Sequence, residues 1–417
     1  MLAVYLHNVR IGSLQSGTAT DYTFHYDEGI VEAAGAGAIV LSQSLPVQAE
    51  PFDPIATRFF FEGLLPESAR REELARELQV SAHDSYALLA EIGRDCAGAV
   101  VVVPEQEPPE SLESGVEWLS DEQLSDLVEE LPRRPLGISR SRGKLRLSLA
   151  GVQRKLALVR DEEGRFGEPV GDAPSTHLIK PQYGDEFPDL AANEMFCMKV
   201  AAEIEMPAAT TELIAVGGRP CLVSNRFDRA EREGQTMRLH QEDLCQALGI
   251  PANLKYEAHS GPGFRHFRRL LEEIGRGADV RTMVRAAVLN FVLGNSDAHG
   301  KNFAILFDNE GRRLAPVYDV VSTAVYDLDR NMAMAIGGNF DPDSVRLEDW
   351  LDLSMDCDLA PRRLFDVARE TAAEVEAAVA AVSARARDEG WHAPIIDDIA
   401  AVAEERGGRI GREIERR

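Results

Sequence analysis

A short polar segment at residues 295–302 constrains the fold of this chain more than any other feature. It reads Asn-Ser-Asp-Ala-His-Gly-Lys-Asn, and Asp319 follows after a short hydrophobic stretch. Residues 283–292 before it are apolar at helical spacing, and residues 303–307 after it have the pattern of a strand. We therefore expect a helix–loop–strand unit that carries polar side chains out of a hydrophobic core.

Two carboxylates and an amide in this arrangement are the groups that phosphoryl transfer requires. Asp297 would receive or orient the proton of a substrate hydroxyl, while Asn302 and Asp319 would hold Mg²⁺ against ATP phosphates. Asn302 follows Asp297 by five positions, which is the offset in a protein-kinase catalytic loop. The alternative is an ordinary polar turn, which Asn, Asp and Gly favour in any protein.

Length, charge and cysteine usage limit the class of protein. A chain of 417 residues predicts two or three domains. The net charge of −25 argues against autonomous nucleic-acid binding, and we interpret the arginine-rich stretch 265–285 as a solvated helix face. The five dispersed cysteines are typical of reduced thiols in a cytoplasm, and we expect no zinc site. The first residues predict no export signal.

Secondary-structure patterns change along the chain from β-rich to helical. Strand patterns dominate residues 1–50, and helices are predicted at 241–248, 263–274 and 280–293, with an amphipathic helix at 188–205. We predict an α+β, protein-kinase-like fold with a β-rich small lobe, a helical large lobe and an extra N-terminal β-rich subdomain. The predicted domains are the N-terminal subdomain (1–104), an acidic linker with a short helix (105–137), the small lobe (138–226) and the large lobe (227–417).

Residues upstream of the polar segment could supply the nucleotide side of a phosphotransfer site. Small residues in segment 148–155 would let backbone N–H groups approach phosphates, and Lys155 would add charge. Lys180 ends a predicted strand, and Glu194 lies on the following helix, the pattern by which kinases position ATP phosphates. The alternatives are a plain hairpin turn at 148–155 and an exposed ion pair or no contact between Lys180 and Glu194.

Five segments taken together resemble one known family. These are residues 148–155, 226–229, 240–243, 295–302 and 317–319, which read Ser-Leu-Ala-Gly-Val-Gln-Arg-Lys, Arg-Phe-Asp-Arg, His-Gln-Glu-Asp, Asn-Ser-Asp-Ala-His-Gly-Lys-Asn and Val-Tyr-Asp. They resemble the HipA family, the serine/threonine-kinase toxins of bacterial toxin–antitoxin pairs. The resemblance spans nearly the whole chain and implies a kinase-like fold with MgATP-dependent phosphorylation of a protein.

The resemblance also implies roles for individual residues. Asp297 would be the catalytic aspartate, Asn302 and Asp319 the metal ligands, and Ser148 the serine that such kinases phosphorylate on themselves. Phe227 would lie at the adenine pocket. Two residues before it, this chain has Asn225 where some relatives carry an acidic residue. Lys301 and Lys180 are further catalytic candidates, and the nucleotide-binding candidates are Ala150, Gly151, Val152, Gln153, Arg154, Lys155, Lys180, Asn225, Arg226, Phe227 and His299.

The expected function is therefore an ATP- and Mg²⁺-dependent serine/threonine-protein kinase that acts as a cytoplasmic toxin. The family implies a helix-turn-helix antitoxin that resembles HipB, neutralises the toxin and represses the operon together with it. DNA would be contacted only through that antitoxin. The family also implies a role in persistence. It suggests an aminoacyl-tRNA synthetase as substrate. The alternatives are a non-catalytic, kinase-shaped co-repressor and a small-molecule or lipid kinase. The presence of Asp297, Asn302, Asp319 and Lys180 argues against the non-catalytic co-repressor. The Ser148 segment favours a protein substrate over a small molecule or lipid.

Overall fold

The computed structural model describes residues 1–17, 21–109, 114–133, 153–184 and 186–415. The chain divides into two compact units, each built from segments that are separated in sequence. Unit 1 comprises Met1–Pro181, Ile214–Ala252 and Leu306–Glu310, and unit 2 comprises Gln182–Leu213, Asn253–Ile305 and Gly311–Arg417. The domain boundaries at residues 104, 137 and 226 stay predictions, because compact units need not coincide with domains.

Unit 1 begins with an antiparallel sheet. Its described strands are β1 (Leu2–Leu6), β2 (Val9–Ser16), β3 (Tyr22–Tyr26) and β4 (Val100–Pro104), in the order β3-β2-β1-β4. His7 and Asn8 join the first two strands with φ angles of 50° and 63°, as a two-residue type I′ hairpin turn requires. Side chains of β3 alternate between buried and half-buried, since successive residues face opposite sides of a sheet.

Three helices bury apolar side chains in the hydrophobic core of this sheet, and a fourth, α1 (Glu28–Ala34), packs the partly buried Ile30 and Val31 against it. The three are α2 (Pro54–Glu62), α3 (Ser68–Leu78) and α4 (Ser85–Ile92). Asp53 begins α2 by accepting hydrogen bonds from the N–H groups of Ile55 and Ala56, which would otherwise have no partner. Phe61 of α2 lies 5.5 Å from Phe24 of β3, ring centre to ring centre. This aromatic packing holds the helix to the sheet.

A second antiparallel sheet carries several predicted nucleotide-binding residues. Its described strands, in the order β5-β7-β6-β8-β10-β9, are β5 (Gly115–Trp118), β6 (Leu156–Arg160), β7 (Phe166–Val170), β8 (His177–Pro181), β9 (Thr211–Val216) and β10 (Arg219–Asn225). The acidic helix α5 (Asp121–Glu130) follows β5 and begins with a capping box between Ser120 and Gln123. Lys180 of β8 pairs with Leu222 of β10 in the centre of the sheet.

The segment predicted as a helix at 241–248 is a strand followed by a short helix. After the hairpin of β11 (Arg229–Arg232) and β12 (Gln235–Arg238) comes β13 (His240–Asp243), and α7 (Leu244–Leu248) begins immediately afterwards. Asp243 and Gln246 form a capping box that starts α7. The prediction was wrong for the first half because the buried side chains of His240 and Glu242 are held by tertiary contacts with Leu41 and Ser42.

Unit 2 is mainly helical. Its described helices are α6 (Leu190–Glu203), α8 (Phe264–Glu273), α9 (Val280–Leu293), α10 (Leu347–Asp356), α11 (Pro361–Asp388) and α12 (Pro394–Glu415). Strand β14 (Ala304–Asp308) leaves the predicted polar loop, and β15 (Gly311–Leu314) follows it. Helix α9 packs against α11 and α12. Arg406 of α12 donates to the carbonyl of Phe291 at the end of α9 over 3.1 Å, where helix carbonyls lack partners within the helix.

Helix α6 is buried on nearly all sides, although its sequence predicted an amphipathic helix. Its residues 191–198 are all buried, including Asn193 and Glu194. Both α11 and α12 pack against it, which covers the face that would otherwise meet water. Among the described residues, no helix combines the length and the apolar content that crossing a membrane requires. All five cysteines are buried thiols.

A buried ion cluster links the end of α4 to the residues after β10. Arg226 donates to both carboxylate oxygens of Asp228, at 3.0 and 2.8 Å, and to Asp95 at 3.5 Å. Arg229 donates to Asp95 at 2.9 Å and lies 3.1 Å from Asp228. The N–H of Gly98 completes the cluster by donating to Asp228. Distant parts of unit 1 are thereby held together.

The cluster determines the charge state of its members. Burial alone would raise the pKa of Asp95, but Arg226, Arg229 and Arg238 outweigh it and hold that pKa below its usual value. The pKa of Asp228 is likewise well below its usual value, since Arg226 and Arg229 outweigh burial. Burial and the neighbouring Arg226 lower the pKa of Arg229 to about 10. All members are therefore charged at neutral pH.

Replacing Asp95 by Ala should lower the free energy of unfolding by about 3–5 kcal/mol, because two buried arginines lose a carboxylate partner. The folded-state pKa of Asp95 lies below its unfolded value. Its contribution to stability is therefore complete above a pH of about 4 and is lost as the pH falls below that value. Denaturant unfolding of both proteins at neutral and acidic pH measures this, and the difference between them should shrink in acid.

Glu105→Ala is a suitable control, because it removes a partly exposed partner of Arg10 in the same unit. We expect a change of about 0–1 kcal/mol. Equal losses of stability in the two variants would contradict the conclusion that the buried arginines depend on Asp95 as a partner.

Candidate active site

Helix α9 delivers the polar loop and ends sharply before it. Gly294 has a φ of 74°, the left-handed conformation that glycine adopts at helix ends. A Cβ atom here would also lie only 2.7 Å from the Cβ of Ala324. Asn295 then donates from its backbone N–H to the carbonyl of Asn290 and from its side chain to Oδ1 of Asn290, both over 2.8 Å. The start of the loop is thus tied to the last turn of the helix.

The loop itself presents Asp297 to solvent on a compact turn. The side chain of Asp297 is exposed, while its neighbours Ser296 and Ala298 are buried. His299 donates its N–H to the carbonyl of Asp297 over 2.8 Å and to Oδ1 of Asn302 over 3.2 Å. These bonds hold the turn between Asp297 and Asn302, which are five positions apart in the sequence.

Asp319 is held next to the loop in a left-handed backbone conformation, with a φ of 60°. Just before it, Val317 donates to the carbonyl of Pro207 over 2.8 Å and accepts from the N–H of Ala209 over 2.9 Å. The hydroxyl of Tyr318 donates to the carbonyl of Lys301 over 2.7 Å. Residues adjacent to the two predicted metal ligands, Asn302 and Asp319, are therefore directly bonded.

Asn193 of α6 connects that helix to the segment after Asp319. Its amide donates to the carbonyl of Ser322 at 2.9 Å and accepts from the N–H of Ser322 at 2.8 Å. Thr323, the next residue, donates its N–H to the carbonyl of Gly294 and accepts from the N–H of Ser296. A continuous set of hydrogen bonds therefore runs from α6 to the start of the loop. Sequence reasoning missed Asn193, although it adjoins the candidate Glu194.

The donor set suits Mg²⁺. An amide oxygen of Asn302 and the carboxylate of Asp319 are hard oxygen ligands, and Mg²⁺ is commonly bound by one or two carboxylates together with substrate phosphates and water. In the described part of the chain, no group of three or more His, Cys, Asp or Glu residues is arranged to hold a metal. Asn302 and Asp319 would supply two ligands, and phosphate oxygens or water would complete the coordination.

The predicted nucleotide-binding residues of unit 1 lie on or beside the second sheet. Lys180 is buried on β8, Lys155 directly precedes β6, and Asn225 ends β10. Gln153, Lys155 and Phe227 are half-buried. Arg154 forms an ion pair of 3.3 Å with Glu73 of α3. The other candidates on this side, Ser148, Ala150, Gly151 and Val152, lie outside the described residues.

Arg226 is occupied by structural contacts. Besides Asp95 and Asp228, its guanidinium donates to the hydroxyl of Ser175 and to the carbonyl of Cys96, both over 2.9 Å. These bonds use all the donor nitrogens that a guanidinium has. Only the backbone of Arg226 could contact a nucleotide in this conformation, and its predicted role in binding stays a prediction.

A β-rich unit and a helical unit that carries Asp297, Asn302 and Asp319 are the arrangement expected of a kinase-like phosphotransferase. Comparison with known proteins identifies the family within this class. Residues 2–103 match the HipA N-terminal domain, and residues 147–379 match the HipA-like C-terminal domain. A putative kinase of Sinorhizobium fredii, Y4mE, is 41% identical over 339 residues, 78% of each chain. The serine/threonine-protein kinase toxin HipA of Shewanella oneidensis is 32% identical over 361 residues, 82% of this chain and 80% of that protein.

A solved structure supports the same assignment. The Shewanella oneidensis toxin–antitoxin complex of HipA, HipB and operator DNA contains a chain that matches with a TM-score of 0.81 and 27% identity, covering 100% of this chain and 97% of that one. The chain belongs to the HipA family and is a serine/threonine-protein kinase. The kinase-like fold and the family resemblance predicted from the sequence are confirmed.

Proposed function

We propose that this kinase is the ATP- and Mg²⁺-dependent toxin of a bacterial toxin–antitoxin pair, with Asp297 as its catalytic residue. The observation that carries the proposal is the exposed Asp297 on a loop in which the side chain of Asn302, a predicted metal ligand, accepts a hydrogen bond from the N–H of His299. The bond between Tyr318 and Lys301 supports a role for Asp319 beside Asn302. Exposure suits a group that must meet the hydroxyl of a large protein substrate.

Each proposed residue has one task in the transfer. Asp297 orients the substrate Ser or Thr hydroxyl and takes its proton as the oxygen bonds to the γ-phosphorus of ATP; the bond from that phosphorus to the oxygen bridging to the β-phosphate breaks, and ADP leaves. Asn302 and Asp319 hold Mg²⁺, which when bound neutralises charge on the phosphates. Lys180, Lys155 and the N–H groups of the predicted loop at 150–155 bind phosphate oxygens. Phe227 and Asn225 contact the adenine side.

Lys301 and His299 have supporting positions within the loop. Lys301 is buried and its backbone carbonyl accepts the Tyr318 hydroxyl, while Nδ1 of His299 accepts from the N–H of Lys301 over 3.3 Å. We propose that Lys301 adds positive charge near the transferred phosphoryl group and that His299 borders the nucleotide. A charge placed there stabilises the negative charge that develops during transfer.

Asp297→Asn should retain the fold, because the two side chains are nearly the same size, and should lose phosphoryl transfer by about 10²-fold or more. Asp319→Asn keeps a residue that tolerates the left-handed conformation but weakens Mg²⁺ binding. We expect Asp319→Asn to recover part of its activity at high Mg²⁺ and Asp297→Asn to recover none. Transfer of labelled γ-phosphate to the chain itself or to lysate protein measures both.

Thermal unfolding of both variants provides the control for folding. Transfer of γ-phosphate by Asp297→Asn at the rate of the wild-type protein would contradict the catalytic assignment. It would favour a kinase-shaped co-repressor without turnover. Transfer to lipid or metabolite fractions but not to protein would instead favour a small-molecule or lipid kinase.

The proposed partner is a helix-turn-helix antitoxin similar to HipB, and DNA is reached through it. The related Shewanella chain was solved with HipB and operator DNA. The net charge of −25 suits a chain that does not neutralise DNA phosphates by itself. The arginine-rich stretch also has acidic partners, in the pairs Arg265–Asp356, Arg268–Asp358, Arg281–Glu370 and Arg285–Glu374. These pairs reduce the positive charge that the stretch could offer to DNA.

The isolated chain should therefore bind operator DNA weakly, and addition of the cognate antitoxin should produce a tight complex whose affinity falls as salt rises. A gel shift with the chain alone, with the antitoxin alone and with both measures this. Tight binding by the chain alone would mean that the arginines of residues 265–285 bind DNA despite their acidic partners.

The proposed substrate is a cytoplasmic protein, and the family suggests an aminoacyl-tRNA synthetase, whose phosphorylation would arrest growth and favour persistence. The phosphoproteome of cells that briefly express the chain, compared with that of cells expressing Asp297→Asn, identifies the substrate. A synthetase phosphorylated equally in both would be excluded.

We also propose that Ser148 is a site of autophosphorylation that inactivates the kinase. A phosphate there adds a charge of about −1.5 to −2 beside the loop proposed to bind ATP phosphates, so phosphorylated protein should bind ATP poorly. Mass spectrometry after incubation with MgATP, with Asp297→Asn as control, measures the modification. Ser148 without phosphate in the active protein, or with equal phosphate in the control, would contradict this proposal.

A further inference from the structure

A short segment before α8 lies along the catalytic loop and is bonded to it through the backbone. The carbonyl of Lys255 accepts from the N–H of Gly300 over 3.1 Å. Glu257 donates its N–H to the carbonyl of Ala333, and Ala333 donates its own to the carbonyl of Ser296, over 2.9 and 2.8 Å. The segment 255–257 is therefore fixed relative to both ends of the loop.

Tyr256, in the middle of this segment, contacts the catalytic candidate directly. Its hydroxyl donates to Oδ1 of Asp297 over 2.7 Å. Its ring packs edge-on against the ring of His299, with the centres 5.3 Å apart and the planes at 89°. The Nζ atom of Lys255 lies 5.6 Å from the centre of the same ring. With ring and backbone both held, the hydroxyl has a defined position.

This contact has a chemical consequence for an exposed carboxylate. An exposed Asp side chain ordinarily samples several rotamers, and one bond from a fixed donor selects among them. A general base must lie within hydrogen-bond reach of the proton that it takes, so the orientation of the carboxylate matters. A carboxylate offers about four acceptor positions, so Asp297 can accept from Tyr256 and from a substrate hydroxyl together.

We propose that Tyr256 is a positioning residue that holds the Asp297 carboxylate toward the substrate hydroxyl. The inference rests on the proposed catalytic role of Asp297, through which Tyr256 acts. Tyr256 contributes no group to the reacting atoms. Its removal should therefore weaken proton acceptance without changing the affinity for ATP.

Tyr256→Phe removes only the hydroxyl and tests this in the full-length chain. With labelled ATP and a lysate protein acceptor, we expect kcat to fall about 10-fold, a part of the 10²–10⁴ that a general base supplies. The KM for ATP should stay within about twofold, because uniform binding is unaffected.

Tyr26→Phe is the matched control, because it also removes a hydroxyl that donates over 2.7 Å, to the carbonyl of Leu45 in unit 1. It should leave kcat and the KM for ATP unchanged. A wild-type kcat in Tyr256→Phe would overturn the inference. So would a fall in kcat accompanied by a higher KM for ATP and a lower melting temperature, since that result indicates a structural role alone.

The two proposals fail in distinguishable ways. If Asp297→Asn loses transfer while Tyr256→Phe behaves as wild type, the proposed function stands and the positioning role is wrong. If Asp297→Asn retains transfer, the proposed function fails first, whatever the result for Tyr256→Phe.

Discussion

The termination of helix α9 is the constraint on which the catalytic loop depends. Gly294 reverses the backbone in a left-handed conformation, and Asn295 bonds back to Asn290 through both its backbone and its side chain. The last turn of a helix has unpaired carbonyls, and here one of them receives the first residue of the loop. A side chain at position 294 would strain the backbone and collide with Ala324. The direction in which Asp297 leaves the core therefore follows from how the helix ends.

From this point a hydrogen-bonded network spreads through unit 2. Asn193 joins α6 to Ser322, Thr323 joins that segment to Gly294 and Ser296, and Tyr318 joins the residue before Asp319 to Lys301. A connected set of buried hydrogen bonds favours one arrangement over its alternatives. The predicted proton acceptor and the predicted metal ligands are thus held by one set of bonds.

The buried ion cluster of Asp95, Arg226, Asp228 and Arg229 has a comparable role in unit 1. Its members come from two separate stretches of chain, and each charge has a partner of opposite sign. Desolvating ions costs free energy that a buried pair recovers only with good geometry. The cluster is therefore better understood as a device that fixes which segments meet than as a large source of net stability. It also occupies the guanidinium of Arg226, a residue of the family motif.

The sequence by itself determined the features that depend on near neighbours. The spacing of Asp297 and Asn302, the helix before them, the strand after them and the order of the family segments were all evident, because they rest on local periodicity and turn chemistry. Only the tertiary structure decided which distant groups meet. Tyr256 approaches Asp297 across 41 positions, α6 is buried by helices far along the chain, and β13 forms where a helix was expected. Such contacts arise when the chain closes long loops to bury apolar surface and pair polar groups, and no local pattern records the outcome.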